Sequence, residues 1–208
     1  LCLTSSEISK RYLKKLGVKR VKFLGNLKFS QSENENLIKL KTLNKFISSK
    51  KIWCASSTHY NEEKLCGLIH KEVKKKYKNL LTIIIPRHVE RTGSIKDELK
   101  KLNLKIHTFE EKSKIKKDTD ILLVNSYGKT KSIYNICKTV FLGGSLINHG
   151  GQNPLEATRY GCNILHGPNI ENFKEIYNYL GRLKMSLKVN NYSQLSIKLI
   201  SLLSKKNK

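Results

Sequence analysis

The sequence is short of several residue types, and each shortage excludes something. Its 208 residues include 3 prolines, 1 tryptophan and 1 methionine. The longest apolar stretches, such as residues 80–85, fall far below the roughly 18 residues that span a bilayer. No two of the 5 cysteines have the spacing of a zinc knuckle or redox motif. We therefore expect buried, reduced thiols in a cytoplasmic compartment, and neither a transmembrane helix nor a signal peptide in this sequence.

Acidic residues are also scarce, with 16 Asp and Glu against 41 Lys and Arg, which gives a formal charge of +25. Such a charge favours an anionic partner: nucleic acid, an acidic lipid surface or a phosphorylated substrate. A basic nucleic-acid-binding module would show clustered basic residues with interleaved aromatics. Here the lysines are spread along the chain, so we expect no nucleic-acid partner and keep such a module only as an alternative.

Short β-branched runs alternate with longer segments of helical periodicity, which predicts an α/β fold with a Rossmann-like parallel sheet and helices on both faces. Strands are predicted at residues 20–24, 51–56, 81–85, 105–109, 120–124, 139–143, 163–166 and 186–189. Helices are predicted at residues 5–16, 34–49, 61–77, 89–102, 129–137, 153–161, 172–182 and 192–204.

A polar segment at residues 30–36 predicts a linker after a hairpin-like region at residues 21–29. We place the end of a preceding domain and the linker at residues 1–33, and a compact domain at residues 34–208. The chain starts at Leu1 and its sole methionine is Met185, so we expect a piece of a longer protein.

The segment from Phe141 to Ala157 is the most unusual part of the sequence. The pair Gly143-Gly144 ends a predicted strand, and we expect the missing side chains to let a ligand approach the backbone. Asn153 is a good N-cap, Pro154 suits the first helical position, and Glu156 completes a capping box. In a functional interpretation, free amides at this helix start attract a phosphate, while the Glu156 carboxylate accepts hydrogen bonds from a ribose.

Three more loops follow predicted strands at the same edge of the sheet, where open α/β folds bind ligands. Hydroxyls at residues 56–58 bind a phosphate or cap the next helix. Arg87 either grips a phosphate or pairs with Glu90 or another acid. Tyr127 follows a further strand and is placed to pack on a base.

Three histidines that follow predicted strands are candidate metal ligands. His59, His88 and His149 could converge at this edge, but no carboxylate has ligand spacing to them. We expect no metal site.

Taken together, these motifs closely resemble the carboxyl-terminal half of the 3-deoxy-D-manno-octulosonic acid (Kdo) transferase family, in the same order and over essentially the whole chain. The most specific element is the string Gly-Gly-Ser-Leu followed by Gly-Gly-Gln-Asn-Pro-Leu-Glu-Ala. The matching segments are residues 25–29, 55–63, 86–91, 141–157 and 167–173.

The resemblance implies the C-terminal domain of a GT-B glycosyltransferase, in which two Rossmann-like domains face each other across a cleft. It implies transfer of Kdo from CMP-Kdo to a lipid A precursor, lipid IVA, at the cytoplasmic face of the bacterial inner membrane. An anionic membrane surface is a further implied partner, and no metal or other cofactor is expected. The alternative within the same fold is a glycosyltransferase that uses another nucleotide sugar, such as a UDP-linked one.

The resemblance also assigns residues. Lys28 matches a family lysine that stabilises the transition state, whereas the family's general base lies in the amino-terminal domain, outside this chain. The family usually has Met-Gly-Glu at residues 127–129, and a lysine at the last position cannot accept a hydrogen bond as glutamate can. The implied CMP contacts are Pro86, Arg87, Tyr127, Gly128, Lys129, Asn153, Pro154, Leu155 and Glu156.

Overall fold

The computed structural model describes residues 1–25, 41–110 and 114–204. In the helix that begins at residue 41, side chains are described from residue 43 onward. The described residues divide into two compact units, with residues 1–25 in the first and all later ones in the second. The predicted domain boundary between residues 33 and 34 lies outside the described residues, so it stays a prediction.

The first unit consists of strand β1 (Cys2–Thr4), helix α1 (Glu7–Lys15) and strand β2 (Val21–Phe23). Ser6 caps the helix, since its side chain accepts a hydrogen bond from the Ser9 amide. The two strands pair in parallel, with Cys2 opposite Val21. The helix α1 returns the chain in the same direction. The hairpin-like region predicted at residues 21–29 extends beyond the described residues, so it stays a prediction. A three-residue β1 is too short to show periodicity and was not predicted.

The second unit is built on a seven-stranded, all-parallel sheet with the strand order β5-β6-β4-β3-β7-β8-β9. Its strands are β3 (Lys51–Thr58), β4 (Leu80–Pro86), β5 (Ile106–Thr108), β6 (Ile121–Leu123), β7 (Thr139–Leu142), β8 (Asn163–His166) and β9 (Ser186–Lys188). The helices are α2 (Lys41–Ile47), α3 (Glu62–Lys76), α4 (Thr92–Lys100), α5 (Thr130–Ile136), α6 (Leu155–Arg159), α7 (Lys174–Arg182) and α8 (Tyr192–Ser204).

Helices cover both faces of this sheet, as predicted. Successive residues of β3 point to opposite faces, so Trp53 and Ala55 join one core while Cys54 joins the other. The first core includes α3, α4 and α8, and the second includes α2, α5 and α7. Because the central strands are buried on both faces, they appear in the sequence as continuous apolar runs.

Four of the five cysteines are buried and unbonded, as expected, and Cys2 is half-buried. Burial raises the pKa of the Cys137 thiol to about 12. Those thiols therefore remain protonated at neutral pH and behave as small apolar groups. Across the described ranges, no helix is both long enough and apolar enough to cross a membrane.

An all-parallel sheet has two chemically distinct edges. In the second unit, we call the described loops that follow strands, together with the strand ends and helix starts that adjoin them, the carboxyl edge. The loops that precede strands, together with the helix ends and strand starts that adjoin them, are the amino edge. The carboxyl edge comprises residues 57–63, 87–91, 109–110, 124–129, 143–156, 167–174 and 189–191. The amino edge comprises residues 48–51, 76–79, 100–105, 114–120, 137–138, 159–162 and 182–185.

Candidate functional site

The loops predicted to share one edge do meet at the carboxyl edge. The Arg87 amide donates to the Thr58 carbonyl at 2.9 Å, which joins the ends of β3 and β4. The Gly167 amide donates to the Ser145 hydroxyl at 2.8 Å, which joins the loops after β7 and β8. The loop after β6 ends at the same edge, where Tyr127 is 67% exposed.

The turn at Gly144–Leu146 binds a carboxylate of the protein itself. Glu62, the first residue of α3, is fully buried, and its Oε2 accepts from the amides of His59 at 3.0 Å and Gly144 at 2.7 Å. Its Oε1 accepts from the amides of Ser145 at 3.3 Å and Leu146 at 3.2 Å. Burial raises the pKa of the Glu62 carboxyl, and these four hydrogen bonds oppose that rise. The amides are therefore already occupied, and no sequence signal distinguished Glu62 from an ordinary helix-opening acid.

The expectation that Gly143 lets a ligand approach the backbone is wrong. A Cβ atom there would lie 2.5 Å from the Ser57 carbonyl oxygen and 2.8 Å from Glu62 Oε2. The missing side chain therefore makes room for the loop after β3 and for the buried carboxylate. The glycine is required by packing within the protein.

The Ser56 hydroxyl, near the end of β3, also serves the fold. The Tyr134 hydroxyl donates to Ser56 Oγ at 2.7 Å, and both side chains are buried. The residue that caps α3 is Asn61, whose side chain makes no capping hydrogen bond. Ser56 therefore neither binds a phosphate at the surface nor caps the helix.

Two arginines follow β4, and they differ in whether the guanidinium group is already paired with an acid. Arg91 forms a two-pronged ion pair with the buried Glu63, with N to O distances of 3.1 and 3.2 Å. Glu90, which was weighed as a partner for Arg87, lies 3.3 Å from His88 instead. Arg87 is exposed and has no ion pair within the described part of the chain. Its guanidinium is therefore the available cation at the end of β4.

The three histidines singled out from the sequence do converge. The His59 ring lies 3.9 Å from the His149 ring and 5.9 Å from the His88 ring, measured between centroids. Burial and the neighbouring His149, His88 and Arg87 lower the pKa of His59 to about 4. His59 is therefore neutral at physiological pH, and its Nε2 lies 3.1 Å from the Gln152 side-chain nitrogen. In residues 1–25, 41–110 and 114–204, no group of three or more His, Cys, Asp or Glu is placed to hold a metal ion.

Helix α6 begins at Leu155, so Pro154 rather than the predicted Asn153 is the residue that caps it. Asn153 nevertheless binds the helix start, because its Oδ1 accepts from the Leu155 amide at 3.1 Å, and Pro154 contributes no N–H. The Leu155 amide is therefore already used by the protein, and the phosphate site expected at this helix start stays a prediction. Glu156 is half-buried at this turn.

Other residues are CMP contacts that the family resemblance implies. Pro86 is the buried last residue of β4, and Gly128 has a φ of +80° in the turn before α5. Lys129 is half-buried where that helix begins. Lys28, the implied transition-state lysine, lies outside the described residues.

Known proteins with similar sequences indicate which enzymes this chain is related to. No protein-family model matches the chain. It is 33% identical over 175 residues to a 3-deoxy-D-manno-octulosonic acid transferase from Haemophilus influenzae, covering 82% of this chain and 40% of that protein. It is 32% identical over 203 residues to the enzyme of the same name from Aquifex aeolicus, covering 98% of this chain and 53% of that protein.

The chain is a relative of the Kdo transferases. It spans about half the length, or less, of these two curated relatives. It is also 33% identical over 199 residues to a bifunctional glycosyltransferase/methyltransferase from Fusobacterium nucleatum, covering 91% of this chain and 30% of that protein.

Solved structures confirm the fold class predicted for this Kdo transferase relative. The C-terminal CMP-Kdo binding domain of WaaA from Acinetobacter baumannii matches with a TM-score of 0.74 at 24% identity, covering 80% of this chain and 88% of that one. A UDP-N-acetylglucosamine 2-epimerase from Listeria monocytogenes, described as putative in its own structure report, matches with a TM-score of 0.56 at 14% identity, covering 97% and 50% of the two chains. The second unit therefore has the fold of a GT-B C-terminal domain.

Proposed function

We propose that this chain forms the donor-binding part of a Kdo transferase, which binds CMP-Kdo and supports transfer of Kdo to a lipid A precursor, lipid IVA. The observation that carries the proposal is the 32% identity with the Aquifex aeolicus transferase over 98% of this chain. The location of Arg87 supports it, because the exposed guanidinium follows a buried strand at the edge where such folds bind nucleotides.

Arg87 and the neighbouring Pro86 form the first part of the proposed CMP site. A guanidinium can hold two phosphate oxygens at once, and this geometry fixes the phosphate as well as attracting it. The carboxylate of Glu62 already occupies the amides at Gly144–Leu146. Arg87 therefore carries more of the phosphate binding than the glycine-rich string suggests.

Residues 127–129 and 153–156 complete the proposed CMP site. Tyr127 is exposed where its ring can pack on the cytosine, and Gly128 adopts a conformation that exposes backbone groups in the turn. At the other segment the Asn153 side chain is fixed by its hydrogen bond to the Leu155 amide, and Glu156 is the residue that we propose accepts from the ribose hydroxyls. The Pro154 and Leu155 side chains are buried and hold this turn in place.

The proposed reaction breaks the bond between the Kdo anomeric carbon and the CMP phosphate. Negative charge then develops on the departing phosphate, and a fixed cation such as Arg87 stabilises it without a metal. Lys28 is proposed as a second cation for the same transition state. We assign the general base that activates the acceptor hydroxyl to no residue of this chain.

Calorimetry with CMP tests the donor-site proposal. We expect Arg87→Ala to weaken CMP binding about 10- to 150-fold, because a hydrogen-bonded charge contributes roughly 1.5–3 kcal/mol. Arg182→Ala is the matched control, since Arg182 is also exposed but lies at the other edge of the sheet. It should leave the affinity unchanged.

A folded chain that binds no CMP would contradict the proposal. Competition among CMP, UMP and UDP separates the two donor classes, and a preference for UDP would assign the site to the alternative transferase. The lipid acceptor and the cytoplasmic face of the inner membrane are proposed from the family resemblance alone. An anionic membrane surface is the corresponding partner.

A further inference from the structure

The positive charge of this chain is spread along the sequence but concentrated at one edge of the sheet. The described acidic residues in the amino-edge loops are Asp118 and Asp120. The basic residues in the same loops are Lys50, Lys51, Lys76, Lys78, Lys100, Lys101, Lys105, Lys114, Lys116, Lys117, Lys138, Arg159, Arg182 and Lys184. In a parallel α/β fold every return from a helix to the next strand reaches this edge, so residues distant in sequence come together.

The carboxyl edge has no such excess. Its basic residues are Arg87, Arg91, Lys129 and Lys174, and its acidic residues are Glu62, Glu63, Glu90, Glu110, Glu156 and Glu171. A general compositional bias toward lysine would place lysines in the exposed loops of both edges. Helix dipoles favour acids where helices begin and bases where helices end, and this accounts for part of the difference. Without the four basic residues that lie inside helix ends, the amino edge still has ten lysines against Asp118 and Asp120, so the excess belongs to the loops themselves.

The amino-edge loops form one continuous surface. Asn79 Nδ2 donates to the Ser49 carbonyl at 2.6 Å, which joins the loops before β4 and β3. Lys50 Nζ donates to the Lys117 carbonyl at 3.0 Å, which joins the loops before β3 and β6. Lys138 Nζ donates to the Tyr160 carbonyl at 2.7 Å, which joins the loops before β7 and β8.

A cavity of about 500 Å³ opens within this surface. Lys50, Lys51 and Lys138 contribute to its lining, together with Ile47 and Leu202. Burial, and then the nearby charge of Lys74, lower the pKa of Lys50. An anionic group that entered the cavity would relieve this repulsion.

Exposed apolar side chains stand beside the positive charge. Tyr179 is 59% exposed and Leu183 is 51% exposed, and they are four residues apart, at and just beyond the end of α7, where they share one face. Arg182 and Lys184 flank Leu183 and are both exposed. A tyrosine and a leucine bordered by cations match the headgroup region of a bilayer, where apolar parts enter and charges meet lipid phosphates.

We propose that the amino edge is a docking surface for an anionic lipid bilayer. The choice of lipid as the polyanion rests on the membrane partner of the proposed function and on Tyr179 and Leu183, whose exposed side chains can enter a bilayer beside its phosphates. The strand β3 is 8 residues long, so the two edges are about 25 Å apart. Lipid bound at the amino edge therefore leaves the proposed CMP site open.

Vesicle sedimentation of the whole chain tests this surface. Vesicles of phosphatidylglycerol and phosphatidylcholine are compared with vesicles of phosphatidylcholine alone. The test variant, K76Q/K78Q/K116Q/K117Q, removes four exposed amino-edge lysines. The control variant, K64Q/K174Q/K188Q/K198Q, removes four exposed lysines elsewhere on the same unit and changes the net charge equally.

We expect binding that needs phosphatidylglycerol and weakens with salt. The test variant should lose tenfold or more in partition coefficient, because each lysine near such a surface contributes about 1 kcal/mol. The control variant should lose less than about threefold. Both variants should bind CMP like the parent chain, so failure of lipid docking is distinguishable from failure of the donor-site proposal.

Four results would overturn the proposal. One is equal sedimentation with both kinds of vesicle, and another is an equal loss of binding in the two variants. The third is a single-stranded RNA oligonucleotide that displaces the vesicles and fails to bind the test variant, which would assign the surface to nucleic acid. Inorganic phosphate at millimolar concentration should not displace the vesicles; if it does, the site holds a single anion and the bilayer proposal is wrong.

Discussion

Replacing Glu62 by glutamine tests whether the glycine-rich turn is held by a buried carboxylate. Each of the two carboxylate oxygens accepts two backbone amides, His59 and Gly144 on one, Ser145 and Leu146 on the other. Glutamine has nearly the same shape but keeps one carbonyl oxygen. Its NH₂ group would therefore face two amide donors that have no other acceptor in the arrangement described.

The number of amides that lose their acceptor sets the expected loss of stability. A buried donor left without a partner costs about 1–3 kcal/mol, so two of them cost roughly 2–6 kcal/mol. The whole domain is expected to be stable by only about 5–15 kcal/mol. Glu62→Gln should therefore lower the free energy of unfolding by a large fraction of the total.

Urea unfolding followed by tryptophan fluorescence measures this change directly. Trp53 is the sole tryptophan, it is fully buried, and it lies on the strand that leads into the Glu62 loop. Glu175→Gln is the control, because this acid is exposed on α7 and should change the stability by less than about 0.5 kcal/mol. A loss below about 1 kcal/mol for Glu62→Gln, at an unchanged denaturant slope, would refute the reasoning.

Two further predictions concern the same loops. Gly143→Ala should destabilise the chain by about 1–3 kcal/mol, because its Cβ would lie 2.5 Å from the Ser57 carbonyl oxygen. Gly93→Ala in α4, where nothing lies within 4 Å, should stabilise it by about 0.5–1 kcal/mol; thermal unfolding of both variants checks the pair. His59 has a folded pKa of about 4, below the ordinary value of 6.5, so the unfolded chain takes up its proton first as the pH falls. The stability of the parent relative to His59→Gln should therefore fall by about 1–3 kcal/mol between pH 7 and pH 4.5, and an equal difference at both pH values would contradict this.

Most of the fold was predictable because parallel strands buried on both faces leave a strong signal. The predicted strand at residues 51–56 is β3 (Lys51–Thr58), and the one at residues 163–166 is β8 (Asn163–His166). The sequence did not reveal β1, since three residues beside a short exposed helix carry no periodicity. It also extended a helix over residues 89–102, whereas residues 89–91 form a 3₁₀ turn before α4 begins at Thr92.

The location of the candidate site was predictable from the sequence, but the partners of its charged side chains were not. Topology alone brings the ends of parallel strands together, so the convergence of His59, His88 and His149 could be anticipated from their positions after strands. The hydrogen-bond or ion-pair partner of each charged side chain could not be anticipated in this way. Glu62 and Glu63 are adjacent and look alike in the sequence, yet one holds four backbone amides and the other holds Arg91.

This difference between Glu62 and Glu63 decides which cation is available to a ligand. Glu63 neutralises Arg91, and Glu62 fills the amides that a phosphate would otherwise use. Two of the anion-binding features at the carboxyl edge are therefore used to hold its loops in place. Arg87 follows the same strand as Arg91 but has no acid opposite it in the described residues, so the loops can be rigid while one guanidinium stays exposed. A fixed frame around an unpaired cation is the arrangement that binds an anionic donor without first breaking an ion pair, because the protein has already met the cost of ordering the loops.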